Sequence, residues 1–186
     1  MAPMDREAAA RAIDAFLLAL GRDAGNEPEL AGTGARVAAA FADELLTGYT
    51  VDVDALLSQN VFPGQSDTVV VRDVPIATLC PHHLMPATGV ATVAFAPAGR
   101  LVGVGTVARV LEAYARRLAL QEQIGERAVA ALNSHLAPRW VACRLTLTHA
   151  CMTTRGERSH GARVETTAVA GASVDRAALV AALAER

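Results

Sequence analysis

The spacing of apolar positions changes character along the chain, and each change predicts a change of secondary structure. Over residues 5–20, Ala9, Ile13, Phe16, Leu17 and Leu20 recur at helical intervals and predict an amphipathic helix stopped by Gly21. A second helix is predicted to begin at the Gly-Thr-Gly turn of residues 32–34 and run to about Leu46, with Val37, Phe41 and Leu45 on one face. Residues 52–65 read as a short helical turn and then a loop, punctuated by Pro63-Gly64. The period then drops to two. Residues 68–74 carry Val69, Val70 and Val71, and residues 89–96 alternate Val90, Thr92 and Ala94 with Ala91, Val93 and Phe95, so both read as strands. A long helical stretch over residues 106–136 follows, with Gly125 as the expected bend or break. Residues 140–151 form the clearest strand: Val141, Cys143, Leu145 and Leu147 share one face, and His149 and Cys151 are expected to continue it. Residues 163–170 are a fourth strand candidate, and residues 175–184 a closing helix with Asp175 near its start.

That order predicts an α+β fold: an antiparallel four-stranded sheet with helices on one face and an N-terminal helical extension. The expected division is an N-terminal helical region at residues 1–50 and one structural unit at residues 51–186, without repeats or a second domain. At 186 residues, 52% apolar and 19% charged, the chain is long and apolar enough to bury a core without staples.

Charge narrows the choice of partner. The formal net charge of −2 gives no broad basic face for nucleic acid. All 17 basic residues are arginine, so any anion must be gripped by guanidinium groups, backbone N–H groups or neutral donors. No stretch reaches the ~18–20 apolar residues of a membrane span. Asp5, Arg6, Glu7, Arg11 and Asp14 do not fit a signal peptide, and the expected location is the cytoplasm.

Three cysteines exclude a disulfide framework. Cys143 lies in an apolar run and reads as a buried thiol, whereas Cys80 and Cys151 both neighbour histidines. Cys80-Pro81-His82-His83 sits on a strand-to-strand connection; alone, it equally describes a buried thiol beside a turn histidine. The second cluster, His149-Ala150-Cys151, changes the picture. Cys80, His83 and Cys151 together offer two thiolates and one imidazole with a fourth position open, the ligand count of a catalytic zinc. His82 and His149 then remain free to carry protons.

Several blocks together resemble one enzyme family. Cys80-Pro81-His82-His83-Leu84, the run from Arg116 through Arg117-Leu118-Ala119-Leu120 to Gln121-Glu122, and His149-Ala150-Cys151-Met152 with Arg155-Gly156 are similar to GTP cyclohydrolase I. Thr33-Gly34-Ala35-Arg36-Val37-Ala38 resembles that family's Thr-Pro-x-Arg-Val-Ala helix start. The resemblance implies the tunnelling fold (T-fold) and a homo-oligomer, a decamer in this family, with active sites between subunits. It implies hydrolysis of C8 of the guanine ring of GTP, release of formate and closure of a dihydropterin ring, giving 7,8-dihydroneopterin triphosphate. By the same resemblance Cys80, His83 and Cys151 hold Zn2+, His82 and His149 are catalytic, and Gln121, Glu122, Arg36, Arg109 and Arg155 bind the guanine nucleotide substrate. No nucleic acid or membrane partner is implied.

The chain also departs from the family. Its Ser-Lys pair before the long helix falls on Gly105-Thr106, and the lysine one turn after Arg36 falls on Ala39. The acidic residue after the first zinc cysteine is Pro81, and the arginine after the Gln-Glu pair is Gln123. The guanine and metal ends are complete while the phosphate end has lost two cations. Two alternatives follow: a divergent paralog acting on a guanine-like nucleotide with fewer phosphates or a modified ring, and a non-catalytic pterin- or purine-binding homologue.

Overall fold

The computed structural model describes residues 4–171 and 176–184, and the predicted start of the closing helix at Asp175 lies outside them. The chain divides into two compact units, Met1–Thr47 and Gly48–Arg186. In the first, α1 (Arg6–Ala19) is capped by Asp5, whose side chain accepts from the Ala8 N–H at 2.9 Å. It stops as expected at Gly21, where the Gly21 and Arg22 N–H groups donate back to Leu18 O and Leu17 O. α2 (Thr33–Ala40) continues through a π-helical turn at Phe41–Leu45. Arg6 pairs with Asp43 across this unit.

The second unit opens with α3 (Val53–Ser58), capped by Asp52. There follow β1 (Val61–Pro63), β2 (Val69–Leu79), β3 (Pro86–Ala96) and β4 (Arg100–Val102), then α4 (Val104–Ala115) and α5 (Gln121–Leu136). β5 (Trp140–His149), α6 (Ala150–Thr153), β6 (Val164–Ala170) and α7 (Arg176–Leu183) complete it. β2, β3, β5 and β6 form the expected four-stranded antiparallel sheet in that spatial order. β1 pairs with β4 in a separate two-stranded sheet inside stretches expected to be loop; three-residue strands are too short to show alternation.

Period-two burial builds the core. Ala91, Val93 and Phe95 of β3 and Val141, Cys143, Leu145 and Leu147 of β5 face Val107, Val110 and Leu111 of α4 and Ile124, Ala128, Leu132 and Leu136 of α5. Burial pushes the Cys143 thiol up to about 12, so it packs as an apolar side chain. The main helices cover one face, as predicted. The closing helix adds a patch on the opposite face, where Ala182 and Leu183 meet Ala94, Ala96, Trp140 and Ala142. Arg72 fixes its end by donating to Ala182 O and Ala184 O. Among the described residues no helix is long and apolar enough to cross a membrane.

The long helical stretch breaks at Arg116–Leu120, not at Gly125. Arg117 causes the break to hold. Its Nε donates to Ala113 O at 2.8 Å and Gly48 O at 3.0 Å, and its guanidinium lies over the rings of Tyr49 and Tyr114. The Gly48 N–H donates to Arg116 O, and the Leu118 N–H to the Tyr49 hydroxyl. Gly48 admits this approach because a Cβ there would lie 2.2 Å from Ala113 O. Gly125, buried inside α5, lets the helix close on the sheet instead; a Cβ there would lie 3.1 Å from a Leu145 methyl. A backbone oxygen cannot yield as a methyl can. Gly48→Ala should therefore destabilise by about 1–3 kcal/mol and Gly125→Ala by less, read from urea unfolding midpoints; equal losses would contradict this account of the break.

Candidate functional site

The β2–β3 connection is held short by two backbone bonds, from the Cys80 N–H to Met85 O and from the Leu84 N–H to Cys80 O, both 2.9 Å. Leu84 closes it in the left-handed region at φ 54°, a conformation that costs a branched residue roughly 1–2 kcal/mol and clusters at functional sites. The turn presents Cys80, His82 and His83 together. The Cys80 Sγ lies 3.7 Å from His82 Nδ1 and 3.9 Å from His83 Nδ1.

β3 brings the second cluster alongside. It pairs Pro86 with Leu79 of β2 and Ala87 with His149 of β5, so the end of β5 lies beside the turn. The expected continuation of the strand face to Cys151 does not occur. β5 ends at His149, and Cys151 lies on the one-turn helix α6, which turns it toward Cys80. Ligand atoms of Cys80, His83 and Cys151 all lie within 4.8 Å of one another.

The donor set fits zinc. Tetrahedral geometry with Zn–S bonds of about 2.3 Å and Zn–N bonds of about 2.0 Å spaces ligand atoms roughly 3.5–3.8 Å apart, a small adjustment from this arrangement. Burial raises the Cys151 thiol above its ordinary value, and the charge of Cys80 and a hydrogen bond to it push the same way, with Arg155 opposing. Neighbouring sulfurs resist ionising together unless a cation sits between them.

His149 is held from below. Its Nε2 is 2.7 Å from Gln121 Oε1, while Gln121 Nε2 lies within 3.1 Å of three acceptors: Leu145 O, Val164 O and Thr166 Oγ1. Those acceptors fix which end of the amide is nitrogen, so its oxygen must accept from the His149 Nε2–H. His149 Nδ1 is thereby left with the lone pair. Burial lowers the His149 pKa, and the Glu122 carboxylate opposes that shift.

Gln121, expected to bind substrate, is 3% exposed, and its side-chain amide is engaged by protein groups. Thr166, which helps to orient it, was invisible in the sequence because nothing in a strand pattern distinguishes a hydroxyl facing a helix from any other. The structure brings Cys80, His82, His83, His149 and Cys151 together, with Arg155 Nη1 at 3.1 Å from His83 Nε2, and Glu122 follows the Gln121 that holds His149. Arg36 belongs to the N-terminal unit, where Ala31 O, Glu29 O and Thr33 Oγ1 accept from its guanidinium. Arg109 is exposed on α4, and no contact among the described residues ties it to this group. Thr106 is buried in the first turn of α4, whereas Gly105 faces open space.

Comparison with known proteins bears on the family. Residues 9–185 match the profile of the family described as GTP cyclohydrolase I. The GTP cyclohydrolase 1 of Allorhizobium ampelinum is 38% identical over 171 residues, covering 89% of this chain and 83% of that protein. That of Bartonella henselae is 38% identical over 163 residues, 86% of this chain and 78% of that protein. That of Leifsonia xyli subsp. xyli is 34% identical over 180 residues, 96% of this chain and 93% of that protein. The match spans both cysteine–histidine clusters and the helix that holds Gln121 and Glu122, and the chain belongs to the GTP cyclohydrolase I family.

Proposed function

We propose that this chain is a zinc-dependent hydrolase that opens the guanine ring of GTP at C8, releases formate and forms 7,8-dihydroneopterin triphosphate. One observation carries the reading: two thiols and an imidazole from separate segments converge within 4.8 Å, beside a histidine whose free lone pair is fixed. A zinc ion held by Cys80, His83 and Cys151 would supply the Lewis acidity that makes water nucleophilic at neutral pH. Glu122 accepts from the ring N–H and exocyclic amine of guanine, which fixes the base. His149 takes and returns a proton at Nδ1, because Gln121 keeps the other nitrogen protonated. His82, exposed at the mouth of the turn, moves a proton at its outer nitrogen, Nε2. A pure binding protein would need neither proton carrier, which favours the enzyme over a non-catalytic homologue. The outer strands β2 and β6 of the sheet suit edge-to-edge assembly into a decamer with sites between subunits.

The phosphate end supports a second reading. Ala39, Gly105 and Thr106 carry no charge, and the Thr106 side chain is turned inward. Each lost charge-assisted contact removes roughly 1.5–3 kcal/mol of anion binding. A guanine nucleotide with fewer phosphates, or one with a modified ring, is the alternative substrate.

Formate release from GTP, GDP, GMP and guanosine separates these readings. Preference for GTP by orders of magnitude supports the first, comparable rates with GDP or GMP support the second, and no formate from any of them overturns the hydrolase. Cys151→Ala should lose both bound zinc and turnover, measured by metal content and formate assay; stoichiometric zinc in that variant would remove Cys151 from the ligand set. Gln121→Leu should keep its zinc yet lower kcat on the order of ten- to a hundredfold, since it frees the His149 ring.

A further inference from the structure

A second concave site lies at the opposite end of α5 from Gln121. The last turn of α5, the end of α3, β1 and Arg100 of β4 enclose a cavity of about 380 Å³, within the ~300–1,000 Å³ range of small-molecule sites. None of its lining residues belongs to the cysteine–histidine group. One wall is apolar and comes from β1, where Phe62 is 47% exposed despite its size and is followed by Pro63. The other wall is polar. It holds Arg100, His135 and the hydroxyls of Ser58 and Ser134, and no carboxylate among the described residues.

The polar wall is arranged for an anion. Arg100 Nη1 donates to His135 O at 3.0 Å, and Arg100 makes no other side-chain hydrogen bond or ion pair among the described residues. That bond leaves the Nε–H and Nη2–H pair, a parallel fork that matches the two oxygens of a carboxylate. The nearby carboxylate of Asp54 is engaged elsewhere. His135 Nδ1 lies 3.0 Å from Ala131 O, which can only accept, so Nδ1 carries hydrogen, and the ring's Nε2 lies 3.7 Å from Asp54 Oδ1. Asp54 is thus turned to the imidazole and leaves the guanidinium unpaired. The carbonyl end of α5 would repel an anion, but Arg100 covers His135 O and the Ala137 N–H covers Asn133 O. The Ser58 hydroxyl has no partner among the described residues and adds a further donor.

We propose that this cavity binds a small aromatic carboxylate, with its two oxygens on the Nε–Nη2 fork of Arg100 and its ring against Phe62. The fork selects a planar, two-oxygen anion. The aromatic wall selects a flat apolar body, since a ring packed on Phe62 removes both faces from water and gains an aromatic contact. An inorganic anion would use the guanidinium and leave Phe62 wet. A neutral ring would cover Phe62 and leave the guanidinium without a counter-charge. The site is a binding site in its own right: it shares no residue with Cys80, His83 and Cys151, and it stands whether or not the chain hydrolyses a guanine nucleotide.

The test is a titration of the full chain with 4-fluorobenzoate, read from the 19F relaxation of the ligand, which remains measurable for a large assembly. The native protein should bind it with Kd on the order of millimolar, as expected for so few atoms. 4-Fluorobenzamide, the same ring without the charge, should bind at least roughly tenfold more weakly. Arg100→Gln keeps a donor for His135 O and loses the fork, and should weaken the acid by about tenfold or more while leaving the amide unchanged. Phe62→Ser alters an exposed side chain and leaves the core intact; it should weaken acid and amide alike, roughly three- to tenfold. Cys151→Ala should bind the acid as the native protein does, which separates this cavity from the metal group. Equal affinities for acid and amide, or an acid affinity untouched by Arg100→Gln, overturn the carboxylate grip. Binding that Phe62→Ser leaves unchanged, or that Cys151→Ala abolishes, places the ligand elsewhere and overturns the site. Absence of binding at millimolar concentration overturns it as well.

Discussion

β3 is hydrogen-bonded along both edges, to β2 on one side and β5 on the other, and the site exists because of that double constraint. Pairing Pro86 with Leu79 sets where the cysteine–histidine turn projects. Pairing Ala87 with His149 sets where β5 must stop. Neither register can slip by one residue, because a slip would turn Val93, Phe95, Cys143 and Leu145 out of the core. Burial of the sheet face thus fixes the positions of Cys80, His83 and His149 at the sheet's end, which are themselves only half-buried or exposed. Packing energy in the interior is what keeps the cysteine–histidine cluster in place.

The same logic explains the polar support beneath His149. Gln121 starts α5, and α5 starts there because Arg117 ends the preceding helix against Gly48 and two tyrosines. A break in a helix is usually a local event, but this one is stapled to a residue 69 positions earlier. Orientation of one imidazole therefore depends on a chain of contacts that begins at the entry to the unit.

Much of this could be read from the chain. The alternation of Val141, Cys143, Leu145 and Leu147 placed β5, and the cysteine–histidine pattern marked residues that converge within 4.8 Å, because both depend on local period and residue type. The features that escaped depend on partners distant in sequence. β1 and β4 are each too short to show a period and exist only as a pair. Gly125 looked like a helix breaker, but its missing side chain serves contact with Leu145. The adjacency of Gln121 and Glu122 suggested one shared role, whereas helical geometry turns the first into the core and leaves the second at the surface. Cys151 appeared to prolong a strand because alternation cannot show where a strand ends in a helical turn.

Each hydrogen bond that completes the site spans a long stretch of chain: 28 residues between Gln121 and His149, and 72 between His83 and Arg155. None can form before the sheet has closed, since loop closure comes before the contacts that reward it. During synthesis, Cys80 emerges well before the Cys151 that comes to lie beside it. The order of folding is therefore also an order of chemical exposure: each new molecule passes through a stage in which the Cys80 thiol stands without Cys151, and the closing of β5 against β3 ends it.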